Sequence, residues 1–582
     1  MSTVDPAVLE RVTYLFNQGK AALSYQDGFS ALQSFRTLTD ENPHSFEAWY
    51  WLYSAALCAG DSETARTALD TATLLHGLEL MPDIEVDLAR FDTDGAYDEQ
   101  LFETCYASHY VGLASVFGRR ARDLGVRTPT MLSRYGLSLQ HQGRTLEANE
   151  AFAAAFTAYP LAWIAQFYLY SLFYVPDGVT RYASEARAWA SRFAYVENPI
   201  QLTPPPLEGR RLKIGYVAPN FSRTQLHQFI LPILKNHDPT KVEVTLYTAD
   251  ASAEAPLPCE RMVSIGDMDD EAATALIRKD APDILIDTWG HTVGSRIGIF
   301  ARRAAPVQIA WINFVQTTGL TQMDYVLHSD SMAAPGAQDL FTETVWSMGD
   351  ITIPYRPTMQ RLPDVPPPAL SNGFVTFASF NHPAKISAQT IEAWSAILSA
   401  VPGSVLLMKY NYFIDPLVQR QFRARFAAHG IDGERLLFEG HSKGIEYAEA
   451  FRKVDLMLDP SPCPGGTTSC DAMANGVPVL TLAGDTFYSR IGIQVVAVSG
   501  LHDLVAKSWD DYVARAVALA NNIDALSEVR ARTRPGFEAS ALRDEAGFTR
   551  KLESVLRQMV ETTTAKVEDG SVKDKTLQAL HP

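Results

Sequence analysis

The spacing of apolar residues divides the chain into a helical first third and an alternating remainder. Residues 1–200 show the period of successive helices and contain no convincing strand. From Arg210 onward, short apolar runs such as KIGYV alternate with helical stretches such as DEAATALIRK. Strands of this kind, separated by helices, form parallel sheets that are covered on both faces. The pattern therefore predicts a helical domain followed by α/β domains.

The helical part repeats a small residue that is followed four positions later by a large apolar one. The pairs are Ala31 and Phe35, Ala65 and Leu69, and Ala148 and Phe152. The step of 34 residues from Ala31 to Ala65 equals the period of a tetratricopeptide repeat (TPR). The next step, to Ala148, is not a multiple of 34 and indicates an irregular stretch around residues 81–100. We predict three repeat-like units, with a generic helical domain as the alternative; repeat arrays present a concave surface to a partner.

Proline-rich segments separate the predicted domains. QLTPPPLEG links the helical part to a first strand–helix series, and LPDVPPPAL links that series to a second one. Ligands of doubly wound sheets bind outside the carboxyl ends of the strands, so the cleft between the two series is the predicted site. The predicted domains are a TPR-like helical domain over 1–200, α/β domains over 210–355 and 370–560, and a disordered polar tail over 563–582.

The loop between the apolar runs VDLMLD and VPVLTL has the features of an anion site. It is rich in Gly and Pro and brings Gly466, Thr467 and Thr468 to the start of a predicted helix. The first turn of a helix has N–H groups without partners and favours negative charge. Asp471, one turn later, suits sugar hydroxyls better than phosphate. The stretch fits a nucleotide diphosphate beside a ribose, or an ordinary connection in which Thr caps the helix.

Further candidates lie near the ends of other predicted strands. Lys385, in the run NHPAK before a helix, can stabilise charge on a leaving diphosphate, or it is a solvated surface lysine. His291 and His227, the latter at a predicted helix start, can line the cleft or be structural histidines. Tyr447 can stack on a base or simply pack in the core.

Composition and missing motifs limit the possible functions. With 582 residues the chain exceeds one core, and its net charge of −17 argues against a general nucleic-acid binder. No apolar run reaches the length of a membrane span, and the N-terminus lacks the pattern of a signal peptide. Five scattered cysteines without zinc spacing fit a reducing, cytoplasmic setting. Walker A, G-x-G-x-x-G and H-E-x-x-H motifs are absent, which favours a metal-free mechanism in which organic cations replace the metal.

Several runs, taken in order, resemble the O-GlcNAc transferase (SPINDLY-like) glycosyltransferase family. They lie within about residues 210–545 and are KIGYV, DILIDTWGHTVGSR, PVQIAW, TTGLTQMDY, FNHPAKIS and PCPGGTTSCDAMANGVPVLTLAGDTFYSR. The resemblance implies a GT-B fold, which consists of two Rossmann-like domains with a cleft between them. It also implies a nucleotide-sugar substrate, UDP-linked, no metal or other cofactor, and inversion at the sugar carbon.

The resemblance assigns roles to individual residues. Lys385 would stabilise the leaving diphosphate, and His382 matches a Gln that touches the diphosphate in relatives. Tyr447 matches a base-stacking position that is often His. The implied donor-binding set is Asn381, His382, Tyr447, Gly466, Thr467, Thr468 and Asp471, and the catalytic candidates are Lys385, His227 and His291.

Two departures from the family concern its proposed base and its sugar-side loop. Relatives carry a His in a D-F-x-x-H-like pattern after the first strand, and Thr224 stands there in this chain. Thr cannot be a general base at neutral pH, so His227, about one turn on, is the expected substitute. The relatives' G-Y-P-G-T-T-G loop is N-F-V-Q-T-T-G here, which makes the sugar-side residues Asn313, Phe314, Thr317 and Thr318. These changes suggest a donor other than UDP-GlcNAc.

The principal hypothesis is an inverting, metal-independent protein O-glycosyltransferase. It would move GlcNAc or another sugar to Ser or Thr of an acceptor protein that the repeats hold. A second hypothesis is a flagellin transferase that uses a nonulosonic acid, as in some bacterial members, although a CMP-linked donor would leave part of the phosphate site unused. A third is an Asn-directed relative, and a fourth is an inactive scaffold, which Thr224 favours. The joint presence of Lys385, Thr467 and Asp471 favours an enzyme.

Overall fold

In the computed structural model the chain forms two compact units, Met1–Arg127 with Tyr412–Phe422, and Thr128–Asn411 with Arg423–Pro582. The helical domain predicted over 1–200 is therefore divided, because residues 128–200 belong to the second unit. The structure describes residues 6–43, 45–65, 67–68, 71–72, 99, 102–103, 105–197, 199–222, 226–250, 257–312, 314, 316–333 and 336–568.

Helices packed through small residues build the first unit. A Cβ atom at Gly19 would lie 2.5 Å from the ring of Phe35, so only glycine lets that ring pack so closely on the first helix. Ala31, Phe35 and Ala65 are buried, as the repeat pattern predicts. Leu69 and nearly all of the predicted irregular stretch lie outside the described residues. The helices are α1 (Pro6–Ser24), α2 (Gly28–Glu41), α3 (Phe46–Ala59) and α4 (Val111–Asp123).

A segment from far along the chain completes this unit. Leu417 packs in the same apolar cluster as Leu113 and Phe117. The Asp415 carboxylate accepts the backbone N–H of Gly112 at 2.6 Å, and burial raises the pKa of this carboxyl to about 6. The sequence pattern did not predict this segment as part of the helical unit, because its partners lie about three hundred residues away.

Four more helices begin the second unit, and they include the third predicted repeat. A Cβ atom at Gly136 would lie 2.6 Å from Phe152, which repeats the spacing of Gly19 and Phe35. Leu169, Tyr182 and Trp189 share an apolar cluster with residues of the following α/β domain, which explains why these helices belong to the second unit. The helices are α5 (Pro129–His141), α6 (Thr145–Ala158), α7 (Ala162–Ser171) and α8 (Gly178–Phe193).

The first sheet has seven parallel strands in the order β3-β2-β1-β4-β5-β6-β7. Its central strands are the apolar runs seen in the sequence; Ile214 of β1 pairs with Val244 on one side and Ile284 on the other. The strands are β1 (Leu212–Ala218), β2 (Val242–Thr248), β3 (Arg261–Ser264), β4 (Ile284–Asp287), β5 (Val307–Ala310), β6 (Tyr325–His328) and β7 (Thr344–Ser347), with helices α9 (Leu226–Asn236), α10 (Asp270–Asp280) and α11 (Ile297–Ala301).

The second sheet has six parallel strands in the order β10-β9-β8-β11-β12-β13. Its strands are β8 (Thr376–Ser379), β9 (Val405–Lys409), β10 (Leu436–Glu439), β11 (Leu456–Leu458), β12 (Val479–Leu482) and β13 (Val505–Ala506). Its helices are α12 (Ala369–Asn372), α13 (Ala388–Ala400), α14 (Pro416–Ala427), α15 (Gly444–Phe451), α16 (Thr467–Ala474), α17 (Ile491–Val496), α18 (Trp509–Ala520) and α19 (Ile523–Ala539). In each sheet the strand order reverses beside the first strand, between β1 and β4 and between β8 and β11. Doubly wound folds bind ligands at this point. The predicted GT-B architecture is confirmed.

The last helix, α20 (Glu545–Glu568), returns to the first sheet. Its residues Leu552 and Leu556 are buried in one cluster with Ile230 and Ile233 of α9. The helix continues past 563, where the sequence predicted a disordered tail, and residues 569–582 lie outside the described part. Among the described residues, no helix has both the length and the apolar character that a membrane span requires.

Candidate functional site

A cavity of about 590 Å³ lies at the carboxyl ends of strands from both sheets. Residues that follow β5, β8 and β10 line it, together with the first turn of α16. It brings together most of the residues predicted from the sequence: Phe314, Asn381, His382, Lys385, Tyr447, Gly466, Thr467, Thr468 and Asp471.

The start of α16 is shaped by a buried acid that sequence reasoning did not single out. Asp459 accepts the N–H of Gly465 at 2.7 Å and the hydroxyl of Thr481 at 3.0 Å. Burial raises the pKa of this carboxyl to about 6. The loop is thereby held so that Thr467 and Thr468 begin the helix, partly exposed to the cavity. Free N–H groups and two hydroxyls at a helix N-terminus can bind an anion.

Lys385 lies beside this helix start. It ends the short turn Pro383–Lys385, and its Nζ donates to the carbonyl oxygen of Pro464 at 2.9 Å. Pro464 belongs to the loop that leads into α16, so the ammonium group and the helix N-terminus face one region of the cavity. This arrangement can stabilise a negatively charged group.

Asp471 lies one turn into α16 and is almost completely buried. Its carboxylate accepts hydrogen bonds from the hydroxyls of Tyr355 and, at 3.2 Å, of Tyr447. Burial raises the pKa of the carboxyl to about 7, and the two hydroxyls oppose that shift. The ring of Tyr447 packs beside Phe380 and Phe451, so this tyrosine both lines the cavity and holds Asp471.

Asn381 and His382 follow β8 and are both held by neighbours. The side-chain amide of Asn381 donates to Ser379 Oγ at 3.2 Å, and its Oδ1 has no partner among the described residues. His382 Nδ1 accepts the N–H of Ala384 at 3.0 Å, and His382 Nε2 lies 2.9 Å from Nδ1 of His141.

The two other histidines predicted as catalytic do not line the cavity. His227 is at the start of α9, and its Nδ1 lies 3.1 Å from the carbonyl oxygen of Phe221. His291 is buried, with Nε2 2.8 Å from the carbonyl oxygen of Thr318, and burial lowers the pKa of its imidazole to about 4. Its ring packs against Trp189 and Phe314. His291 is therefore placed as a neutral support behind the cavity wall.

The predicted sugar-side loop is also divided by the structure. Phe314 lines the cavity, whereas Thr317 and Thr318 donate their hydroxyls to the buried carboxylate of Glu343. The two threonines thus hold the loop to a buried acid instead of facing the cavity. Asn313 and Thr224 lie outside the described residues. Ile312, just before the loop, has φ of 79°, which β-branched residues rarely adopt and which is typical of functional sites.

Several cavity residues were missed by sequence reasoning. Tyr170 and Phe173 come from the helical part, and Phe173 stacks on Tyr488 with ring centroids 4.6 Å apart. Lys409, the last residue of β9, is buried and donates from Nζ to the carbonyl oxygen of Gly440 at 2.7 Å. Of these three residues, only Lys409 could have been found from the sequence, because it is a charged residue at the end of an apolar strand.

Comparison with known proteins agrees with this architecture. The model of glycosyl transferase family 41 matches residues 194–350 and 368–552. The chain is 34% identical over 365 residues to the probable UDP-N-acetylglucosamine–peptide N-acetylglucosaminyltransferase SPINDLY of Solanum lycopersicum, covering 60% of this chain and 39% of that protein. The Hordeum vulgare protein of the same name is 34% identical over 406 residues, covering 67% and 43%. The chain thus spans about two-fifths of the length of these relatives.

A solved structure extends the likeness to the helical part. A mutant of the Thermobaculum terrenum O-GlcNAc transferase aligns with 97% of this chain and 100% of its own, with a TM-score of 0.74 and 24% identity. This match shows that the two proteins share a fold, and the family model covers more than half of the chain. The resemblance seen in the sequence is confirmed, and the chain belongs to glycosyl transferase family 41.

Proposed function

We propose that the protein is an inverting glycosyltransferase that transfers a sugar from a nucleoside diphosphate to a Ser or Thr hydroxyl of a protein. The observation that carries this proposal is the position of Lys385 beside the N-terminus of α16 in one cavity. A diphosphate is the ligand class that such a pair of positive features suits.

In the proposed complex the diphosphate lies on the first turn of α16. Thr467 and Thr468 donate hydroxyl and backbone hydrogen bonds to it, and the ribose hydroxyls donate to Asp471. The base lies on the side of Tyr447, whose ring forms part of the cavity wall. A UDP-linked sugar is the first donor to test, because the names of the similar SPINDLY proteins specify UDP-N-acetylglucosamine.

The proposed reaction is a single displacement at the anomeric carbon. The acceptor oxygen forms a bond to that carbon while the bond to the diphosphate oxygen breaks, and negative charge moves onto the diphosphate. Lys385 and the α16 N-terminus stabilise that charge, which is the role a metal ion has in other transferases. We therefore propose that transfer does not depend on a metal.

In this proposal, most of the rate enhancement comes from stabilising the leaving diphosphate and from positioning the acceptor hydroxyl. His291 is neutral and buried, and His227 does not line the cavity. The acceptor proton passes to water or to an oxygen of the departing diphosphate, so no side-chain base is required. The repeats of the first unit are proposed to hold the acceptor protein.

The test combines donor turnover with acceptor mass. Purified protein is incubated with a panel of nucleotide sugars, UDP-GlcNAc first, and released nucleotide is measured with and without chelator. Co-expressed candidate acceptors, flagellin included, are examined by intact-mass spectrometry. We expect a mass increment with the wild type, and a loss of turnover of about a hundredfold or more in Lys385→Ala because the leaving group loses its cation.

Lys507→Ala is the matched control, because that lysine is exposed and does not line the cavity. Turnover in Lys385→Ala equal to that of Lys507→Ala would refute the site assignment. Binding of UDP without turnover of any donor would favour the inactive scaffold instead.

A further inference from the structure

Two histidines from distant parts of the chain form a direct pair at the edge of the cavity. His141 is the last residue of α5, and His382 begins the turn that carries Lys385. Nδ1 of His141 and Nε2 of His382 are 2.9 Å apart. The two residues are separated by 241 positions, so neither sequence motif predicts the contact.

The hydrogen bonds around the pair assign a single tautomer to each ring. His382 Nδ1 accepts the N–H of Ala384 at 3.0 Å, so this nitrogen carries no proton. A neutral imidazole then has its proton on Nε2, and His382 donates it to Nδ1 of His141. His141 in turn carries its proton on Nε2. A second proton on His382 would break the bond from Ala384, and burial, with His141 and Lys385 nearby, lowers the pKa of His382 well below its ordinary value.

Both rings are held by their surroundings. α5 packs on α6 through the close contact of Gly136 with Phe152, which fixes the position of the helix that ends in His141. The ring of His382 also meets the ring of Tyr410 edge-on, with centroids 5.0 Å apart. The backbone carbonyl of His382 accepts the N–H of Lys385 at 2.9 Å, so the orientation of His382 and the turn with Lys385 are coupled.

We propose that His141 is a positioning residue for the transferase site. It accepts the proton of His382 Nε2, fixes that ring, and so holds the turn from which Lys385 reaches the α16 N-terminus. One consequence is that the Nε2 proton of His382 is directed at His141 and not at the diphosphate, although the sequence resemblance placed His382 where relatives have a Gln that touches this group. The inference rests on the proposed function in so far as it concerns turnover.

The first test compares three variants by donor turnover. His141→Ala removes the acceptor, His141→Asn keeps a side-chain oxygen near the position of Nδ1, and His429→Ala is the control at an exposed histidine. We expect His141→Ala to lower kcat by about tenfold to a hundredfold with little change in KM for the donor, since a misplaced Lys385 acts on the transition state. We expect His141→Asn to restore most of the loss, and His429→Ala to behave as wild type.

Two results would overturn the proposal. One is a kcat of His141→Ala within twofold of wild type. The other is an equal loss in His141→Ala and His141→Asn with equally lowered thermal stability, which would mean that His141 only fills space.

A second measurement separates this inference from the proposed function. In full-length protein labelled with ¹⁵N at histidine, long-range ¹H–¹⁵N spectra report which ring nitrogen of His382 carries the proton; His382→Gln assigns the signals. We expect the Nε2–H form in wild type and a mixture of tautomers in His141→Ala. This result does not require any reaction, so it stands even if no donor is turned over. An Nδ1–H form in wild type would refute the pairing.

Discussion

The carboxyl group of Asp471 lies between two tyrosine hydroxyls in a buried position, and this environment makes stability depend on pH. Burial raises its pKa in the folded protein to about 7, from 3.8 in the unfolded chain. A raised carboxyl pKa means that the folded state binds the proton more tightly. The tighter binding of this proton therefore stabilises the folded state fully at low pH, and this contribution to the free energy of unfolding is lost as pH rises from about 4 to about 7.

We predict that Asp471→Asn gains stability relative to wild type as pH increases. The difference in the free energy of unfolding should grow by about 1.4 kcal/mol per pH unit between pH 5 and 7, and become constant above that range. Urea unfolding of both proteins at several pH values measures this difference. Asp485→Asn, at an exposed acid, is the control. A difference between wild type and Asp471→Asn that does not change with pH would contradict the assigned environment.

Sequence reasoning identified residues that line the cavity but not the partners that hold them. Lys385, Thr467 and Asp471 were found because a helix start with these residue types has few chemical uses. Thr318 and His382 are held by Glu343 and His141, which are far from them in the chain. No local sequence pattern reports such partners, so these two contacts could be found only from the structure.

At the scale of elements, two adjacent glycines before α16 provide a matched test of the loop. A Cβ atom at Gly465 would collide with Ser469 Oγ and lie 2.9 Å from Asp459 Oδ1, whereas one at Gly466 would meet only Ile491 at 3.6 Å. We predict that Gly465→Ala lowers the free energy of unfolding by about 1–3 kcal/mol through overpacking. Gly466→Ala should cost only about 0.5 kcal/mol, from loss of a favourable N-cap residue.

Urea unfolding of the two variants measures both costs, and UDP titration shows whether the helix start has moved. We expect weaker UDP binding in Gly465→Ala, because Asp459 then cannot hold the loop in its present form. Equal stability of the two alanine variants would show that the loop is not packed as described.

Among the strands, apolar runs predicted most of the central ones, whereas the edge strands β3 and β7 were not predicted. β4, β5 and β8 are buried along their whole length and β1 is buried except at Lys213; all four coincide with stretches rich in apolar residues. β3 and β7 lie at the edges of the first sheet, and their outer residues are exposed. Edge strands are covered on fewer sides, so their sequences lack the apolar run that identifies a central strand.

At the scale of the whole molecule, the helical region is divided between the two compact units. The sequence pattern predicted residues 1–200 as one TPR-like helical domain that holds an acceptor protein. In the structure, helices α5–α8 belong to the unit that contains the cavity, and Tyr170 and Phe173 form part of its wall. Helical periodicity could not reveal this boundary, because it reports where helices are and not what they pack against.

Two truncations separate the functions of the two groups of helices. We predict that a chain starting at Thr128 retains UDP binding within a few-fold, because it keeps the described residues that line the cavity, but loses transfer to the protein acceptor. A chain starting at Gln201 should lose at least tenfold in UDP affinity, since it lacks His141, Tyr170 and Phe173. Isothermal titration with UDP measures both.

Phe173→Ala in the full chain is the companion variant, because it removes one wall residue and leaves the helices that support the fold in place. UDP affinity unchanged in both the Gln201 chain and Phe173→Ala would mean that the helical wall has no part in donor binding.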